Sequence, residues 1–181
     1  MTLIDIKGVD PRTLSPSELR QYRICMAAWF GYFHRDEIEY DSPGYGYSEA
    51  VRHPPPAVPN HIDCSTFATY CYAVAGSPNP NTGGFGVQDY IDHYPSTMTL
   101  WPKGILIGGT NVNVSKLRPG DLIFYGDSGI SNFGVGGNGE HVSVYVGRGI
   151  QISHGSDSGP KRLGWRDTTH AGVIGVRRYA W

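Results

Sequence analysis

The last third of the chain reads as short strands and the part before it as helices, and this order restricts the fold more than any other feature. In His141-Val142-Ser143-Val144-Tyr145-Val146-Gly147 the valines alternate with His141, Ser143 and Tyr145, the period of a strand with two distinct faces. Gly147 to Gly149 reads as a tight turn, so the run that follows, 150–154, returns antiparallel to the first. Together with 122–125 and 173–179, these runs predict a compact antiparallel sheet over about 121–179. Upstream, residues about 15–35 carry Pro16 at a helix start, Glu18 in the first turn, and then Leu19, Tyr22, Ile24, Met26, Trp29, Phe30 and Phe33 at helical spacing. A second helix, about 64–76, begins near Cys64 and runs through Phe67, Ala68, Tyr70, Cys71 and Val74 until Gly76 and Pro78 stop it. Helices packed on an antiparallel sheet make an α+β fold.

The connecting stretches differ in kind. Residues 41–60 are rich in Pro, Gly and Tyr, with Pro54-Pro55-Pro56 and Pro59, and read as an extended lead-in that excludes helix. Residues 77–115 are turn-rich, with a short helix expected around 87–93. Between the first two strands lies 126–140, a loop with Gly134, Gly136, Gly137 and Gly139, too long for a hairpin turn and expected to wall a cleft.

Bulk properties narrow the class. At 181 residues and 39% apolar content the chain is large enough for one globular domain, 1–181, with a core that needs neither disulfides nor metal. Lys+Arg 15 against Asp+Glu 16 gives a net charge of -1, so no broad positive field is present to hold nucleic acid or an anionic membrane surface. No charged start precedes an apolar run of signal length, and no stretch is long and apolar enough to span a bilayer, so synthesis in the cytoplasm without a signal peptide is expected. Cys25, Cys64 and Cys71 are odd in number and lack CxxC spacing, which argues for free thiols; Cys25 and Cys71 read as packed core residues.

Cys64 stands apart because Asp63-Cys64-Ser65-Thr66-Phe67 puts it in the first turn of a helix, where unpaired N–H groups favour a thiolate. A thiol nucleophile needs a base, and His141, which opens a strand off the valine face, is the candidate. The tight turn is expected to return His154 beside His141, where a second imidazole would orient the first. Asp63 reads as the helix cap rather than a base, since its charge next to the sulfur would oppose ionisation. His34, His53, His61, His93 and His170 read as solvated or packed, with His61 at the rim of the site.

These residues resemble the NlpC-type cell-wall peptidases, a papain-like group of cysteine hydrolases. The resemblance rests on DCSTF, RPGDLIFY, EHVSVYVG and ISHG, in family order over about 40–179. It implies a papain-like NlpC-type fold, with Cys64 as nucleophile, His141 as general base and His154 as orienting residue. It also implies an upstream tyrosine near the oxyanion; Tyr40 is its counterpart, with Tyr45 and Tyr47 as competitors, and Asp63 and Ser65 are the neighbouring candidates for oxyanion or substrate contacts. The family's Trp-Gly-Gly run before the cysteine is absent, and a longer Pro-rich segment replaces it. DCSTFATYCYAVAGSPNPN, GEHVSVYVG and SHGSDSGP are similar to the peptidase domains of actinobacteriophage endolysins, which need no signal peptide when a holin releases them.

The resemblance implies hydrolysis of the peptidoglycan stem peptide, at the D-glutamyl–meso-diaminopimelate bond, by a monomer that requires no cofactor and no metal. Arg148, Lys161 and Arg162 are candidate anchors for stem carboxylates. The alternatives are an N-acetylmuramoyl-L-alanine amidase of cysteine type, a zinc amidase holding its metal with His141, Cys64 and His154, and a wall-binding module without catalysis. No HExxH or comparable spacing supports the zinc alternative.

Overall fold

The computed structural model describes residues 10–41, 46–126, 141–155, 158–167 and 172–179. The loop expected to wall the cleft therefore lies, but for Gly126, outside the described residues, as do His170 and Tyr45.

Helix α1, Pro16–Phe33, starts where Ser15 and Glu18 form a capping box, with the Ser15 N–H donating to Glu18 Oε2 at 2.9 Å and Pro16 in the first turn. Its buried stripe of Ile24, Cys25, Ala27, Ala28 and Gly31 packs on helix α3, Cys64–Val74. Nine consecutive residues of α3, Cys64 to Tyr72, are buried, so this helix is enclosed on all sides, by α1, the sheet and helix α2, Tyr47–Arg52. It ends in a Schellman motif at Gly76, φ +63°, with Ser77 N–H on Tyr72 O (3.1 Å) and Gly76 N–H on Ala73 O (3.0 Å).

Helix α2 corrects the expectation that 41–60 excludes helix. The prolines 54–56 follow its end, and its six residues place Tyr47, Ala50 and Val51 on one buried face at i, i+3 and i+4. Two short helices follow, α4 at Val87–Asp92, as expected, and α5 at Thr97–Leu100.

Among the described residues the sheet has six antiparallel strands: β1 Ile105–Gly109, β2 Leu122–Tyr125, β3 His141–Gly147, β4 Ile150–Ser153, β5 Lys161–Gly164 and β6 Val173–Arg178, in the order β1-β6-β2-β3-β4-β5. Both edge strands, β1 and β5, escaped the sequence pattern. One face, with Leu122, Phe124, Val142, Val144, Val146, Ile152 and Ile174, joins the core formed with the helices. The opposite face carries Ile123, Tyr125, Tyr145 and Val176 in a smaller apolar cluster that includes Trp165. Among the described residues no helix is long and apolar enough to cross a membrane.

Candidate functional site

The lead-in to α3 is fixed by backbone pairing just upstream of the cysteine. Tyr40 bridges Ile62 in parallel, Ile62 N–H donates to Glu39 O (3.2 Å), Asp41 N–H to Ile62 O (3.3 Å) and Gly46 N–H to His61 O (2.8 Å). A side chain at Gly46 would sit 1.8 Å from the Asn60 carbonyl oxygen, so this crossing requires glycine. Asp63 then caps α3. Its Oδ1 accepts from Thr66 N–H (2.8 Å) and from Ser65 Oγ (2.9 Å), and its own N–H donates to Thr66 Oγ1 (2.7 Å). The expectation that Asp63 caps the helix agrees with this geometry. The Asp63 carboxylate is committed to the cap and the buried Ser65 hydroxyl faces Asp63 and Pro95 O, so neither side chain is offered to a substrate and only the Ser65 backbone N–H faces the sulfur.

Cys64 is buried, 5% exposed, against the start of β3, with backbone N–H groups of Val142, Ser65 and Cys64 itself directed at its sulfur. The sulfur thus adjoins the start of β3, where Val142 follows His141. Burial, reinforced by the Asp63 carboxylate, pushes the thiol up to about 12 despite the three amides. The helix start favours a thiolate, and in the folded protein desolvation opposes it more strongly.

The valine face packs on the helix, and His141 stands at the strand's end on the other face, its ring 5.9 Å from that of Tyr125. That face is a buried polar floor. Ser143 Oγ and the Tyr125 hydroxyl (2.5 Å) donate to Gln151 Oε1, and Gln151 Nε2 donates to Gly164 O (2.7 Å) and Asp167 O (3.0 Å).

The partner of His141 is not His154. His141 Nε2 is hydrogen-bonded to Ser153 Oγ, whereas His154 directs Nε2 at Glu39 O (3.4 Å) and packs its ring against Tyr40 (5.3 Å) and Phe67 (5.9 Å). The cause is register. The turn Arg148-Gly149, φ +51° and +69°, pairs Gly147 with Ile150, but an irregularity between Tyr145 and Gly147 leaves Val146 as an extra residue, and Ser143 then pairs with Ser153. A regular hairpin would have paired Ser143 with His154. The single inserted residue turns His154 to the helix side and Ser153 to the side of His141. Burial holds the His154 imidazole below its ordinary pKa, and among the described residues its Nδ1 has no hydrogen-bond partner.

Of the tyrosines, Tyr40 lies on the lead-in beside His154, while Tyr47 is wholly buried against Tyr94. Arg148, in the hairpin turn, lies about 20 Å along β3 from His141 at ~3.3 Å per residue, which removes it as an anchor. Lys161 is exposed and pairs with Ser153 on the same face; Arg162, next along β5, points to the other. Among the described residues no group of three His, Cys, Asp or Glu side chains converges to hold a metal, so the ligand set of the zinc alternative is not assembled. His61 is half-exposed and pairs with Glu39 at 3.4 Å on the lead-in. Ser153 was missed because a β-bulge leaves no mark in a run of alternating residues.

The chain is 34% identical over 104 residues to proteins described as probable endopeptidase p60 from Listeria innocua and Listeria monocytogenes. The match covers 57% of this chain and 16% of either relative, so it spans about one sixth of their length. Among solved structures, the P60 domain of an antigen from M. avium paratuberculosis aligns with TM-score 0.52 at 17% identity, over 92% of this chain and 100% of that one. NlpC2 from Trichomonas vaginalis aligns with TM-score 0.52 at 16% identity, over 95% and 51%. At such identities the structures speak for the fold, the papain-like arrangement of the NlpC group. The NlpC/P60 family description matches residues 45–163, about two thirds of the chain, and the protein belongs to the NlpC/P60 family.

Proposed function

We propose that this protein is a cysteine peptidase that hydrolyses peptide bonds of the peptidoglycan stem, with Cys64 as nucleophile and His141 as general base. The observation that supports the reading is a helix-start sulfur with three backbone N–H groups directed at it, one of them from Val142, next in the chain to His141, whose imidazole is hydrogen-bonded to Ser153. The Listeria relatives, described as probable endopeptidases, support the same activity.

His141 takes the proton of the Cys64 thiol as the sulfur attacks the substrate carbonyl carbon. The carbonyl oxygen becomes an oxyanion beside the amides that surround the sulfur, with the Tyr40 hydroxyl as a further donor from the lead-in. Removing one such donor costs about 3 kcal/mol of barrier. The C–N bond breaks, the imidazolium returns its proton to the leaving amine, and a thioester remains on Cys64. Water attacks it with His141 again as base, and the thiol is regenerated with release of the acid.

Lys161, exposed next to Ser153, is the cation suited to hold a stem carboxylate. For the bond, we propose D-glutamyl–meso-diaminopimelate, and for the setting an endolysin or its catalytic part, made in the host cytoplasm and acting on the wall after release; both rest on the resemblance in sequence. Mass spectrometry of fragments released from diaminopimelate-containing peptidoglycan tests the bond. New amino termini on diaminopimelate with free D-glutamate carboxyls are expected; fragments cut between muramic acid and L-alanine would make the enzyme an amidase instead.

A further inference from the structure

We propose that Ser153 is the residue that positions His141, in the place that sequence pattern gives to His154. The proposal rests on the reading of Cys64 and His141 as nucleophile and base, and goes beyond it by assigning the third group and the tautomer.

Two observations carry it. The first is the hydrogen bond between His141 Nε2 and Ser153 Oγ, made by two buried side chains, 2% and 6% exposed. The second is the register that enforces it. Ser143 pairs with Ser153 and Val144 with Ile152, so Ser153 shares the face of His141, while His154, the next residue, faces Tyr40 and Phe67. To sit beside His141, His154 would have to shift β4 by a residue, and that shift would turn Ile152 out of the helix core and Gln151 away from Tyr125 and Ser143. The arrangement is thus held by the whole hairpin.

The chemistry follows from which nitrogen is engaged. With Nε2–H donating to the Ser153 hydroxyl, Nδ1 is the nitrogen that carries the proton to and from Cys64. Ser153 is a neutral acceptor. It holds the ring and the tautomer, and it favours the imidazolium through a hydrogen bond that strengthens when the ring is charged. Its removal therefore lowers the His141 pKa and moves the acid limb of the pH–rate profile to lower pH.

The test compares Ser153→Ala, Ser153→Thr, His154→Phe and Cys64→Ala on peptidoglycan and on a soluble stem peptide, from pH 4 to 9. Ser153→Ala is expected to lose about tenfold or more in kcat with little change in KM, as for a group that orients a base, and to shift the acid limb downward. Ser153→Thr restores most of the rate, and His154→Phe, which keeps the ring packed on Tyr40 and Phe67, retains the parent acid limb. Imidazole 15N–1H correlation spectra give a readout independent of turnover. The parent should show His141 with the proton on Nε2, and Ser153→Ala a mixture of tautomers. A parent His141 protonated on Nδ1, or a Ser153→Ala enzyme with the parent rate and profile beside a His154→Phe enzyme that has lost both, overturns the assignment. If Cys64→Ala hydrolyses at the parent rate, the underlying cysteine reading falls and the assignment with it; if only Cys64→Ala is inert while Ser153→Ala is normal, the assignment alone falls.

Discussion

At Cys64 two influences oppose each other. The amides at the start of α3 and of β3 favour a negative sulfur, while burial and the Asp63 carboxylate disfavour it, and the second pair prevails. Alkylation of Cys64 by iodoacetamide should therefore be slow at pH 7 and still rising at pH 10, without the low-pH plateau of a preformed thiolate–imidazolium pair. Asp63 makes this divisible. Asp63→Asn keeps a good cap but removes the charge, so the alkylation rate at pH 8 should rise severalfold with little change in stability. Asp63→Ala also loses the cap, and its urea midpoint should fall by the equivalent of about 1 kcal/mol. An Asp63→Asn protein alkylated no faster than the parent would show that the carboxylate does not govern the thiol. Lys161→Ala, at the edge of the same site, should raise KM for stem peptides bearing a carboxylate and leave kcat nearly unchanged; a fall in kcat alone would remove Lys161 as an anchor.

The elements that place these residues meet at close crossings. Gly31 on α1 faces Phe67 on α3, and a methyl group there would lie 2.5 Å from Phe67 Cε2. Gly31→Ala should cost about 1–3 kcal/mol by overpacking, read from chemical denaturation, and a neutral result would mean that the helices separate more easily than the core suggests. The same scale shows what was legible beforehand. Helices α1 and α3 were readable because Ser15, Glu18, Asp63 and Gly76 mark their ends and their apolar faces repeat with helical period. Strands β2, β3, β4 and β6 were readable from alternation, but β1 and β5 carry polar or glycine residues on exposed edges and present no such pattern. Helix α2 is too short to outweigh the prolines around it. The candidate nucleophile and base stood out for their positions at a helix start and a strand start. The partner of the base did not, because the bulge at Val146 decides between Ser153 and His154, and a bulge is a matter of backbone pairing rather than of composition.

Across the molecule, several thiols and phenols are buried in their neutral forms. Cys25 and Cys71 are wholly buried, Cys25 is pushed up to about 12, and burial also raises Tyr72, Tyr125 and Tyr179. In the unfolded chain these groups ionise at their ordinary pKa values, so above about pH 9 the folded state holds more protons than the unfolded one. Stability is then fully present below pH 8 and declines as pH rises, by about 1.4 kcal/mol per unit for each group past its unfolded pKa. Urea midpoints that fall between pH 8 and pH 10.5 would bear this out, and midpoints that stay level would contradict it. If one thiol performs the hydrolysis, Cys64→Ala abolishes it. With the fold confirmed by circular dichroism, release of fragments from purified peptidoglycan is expected to fall to background for Cys64→Ala while Cys25→Ala and Cys71→Ala, where they fold, stay active. Release by Cys64→Ala at the parent rate would contradict that mechanism.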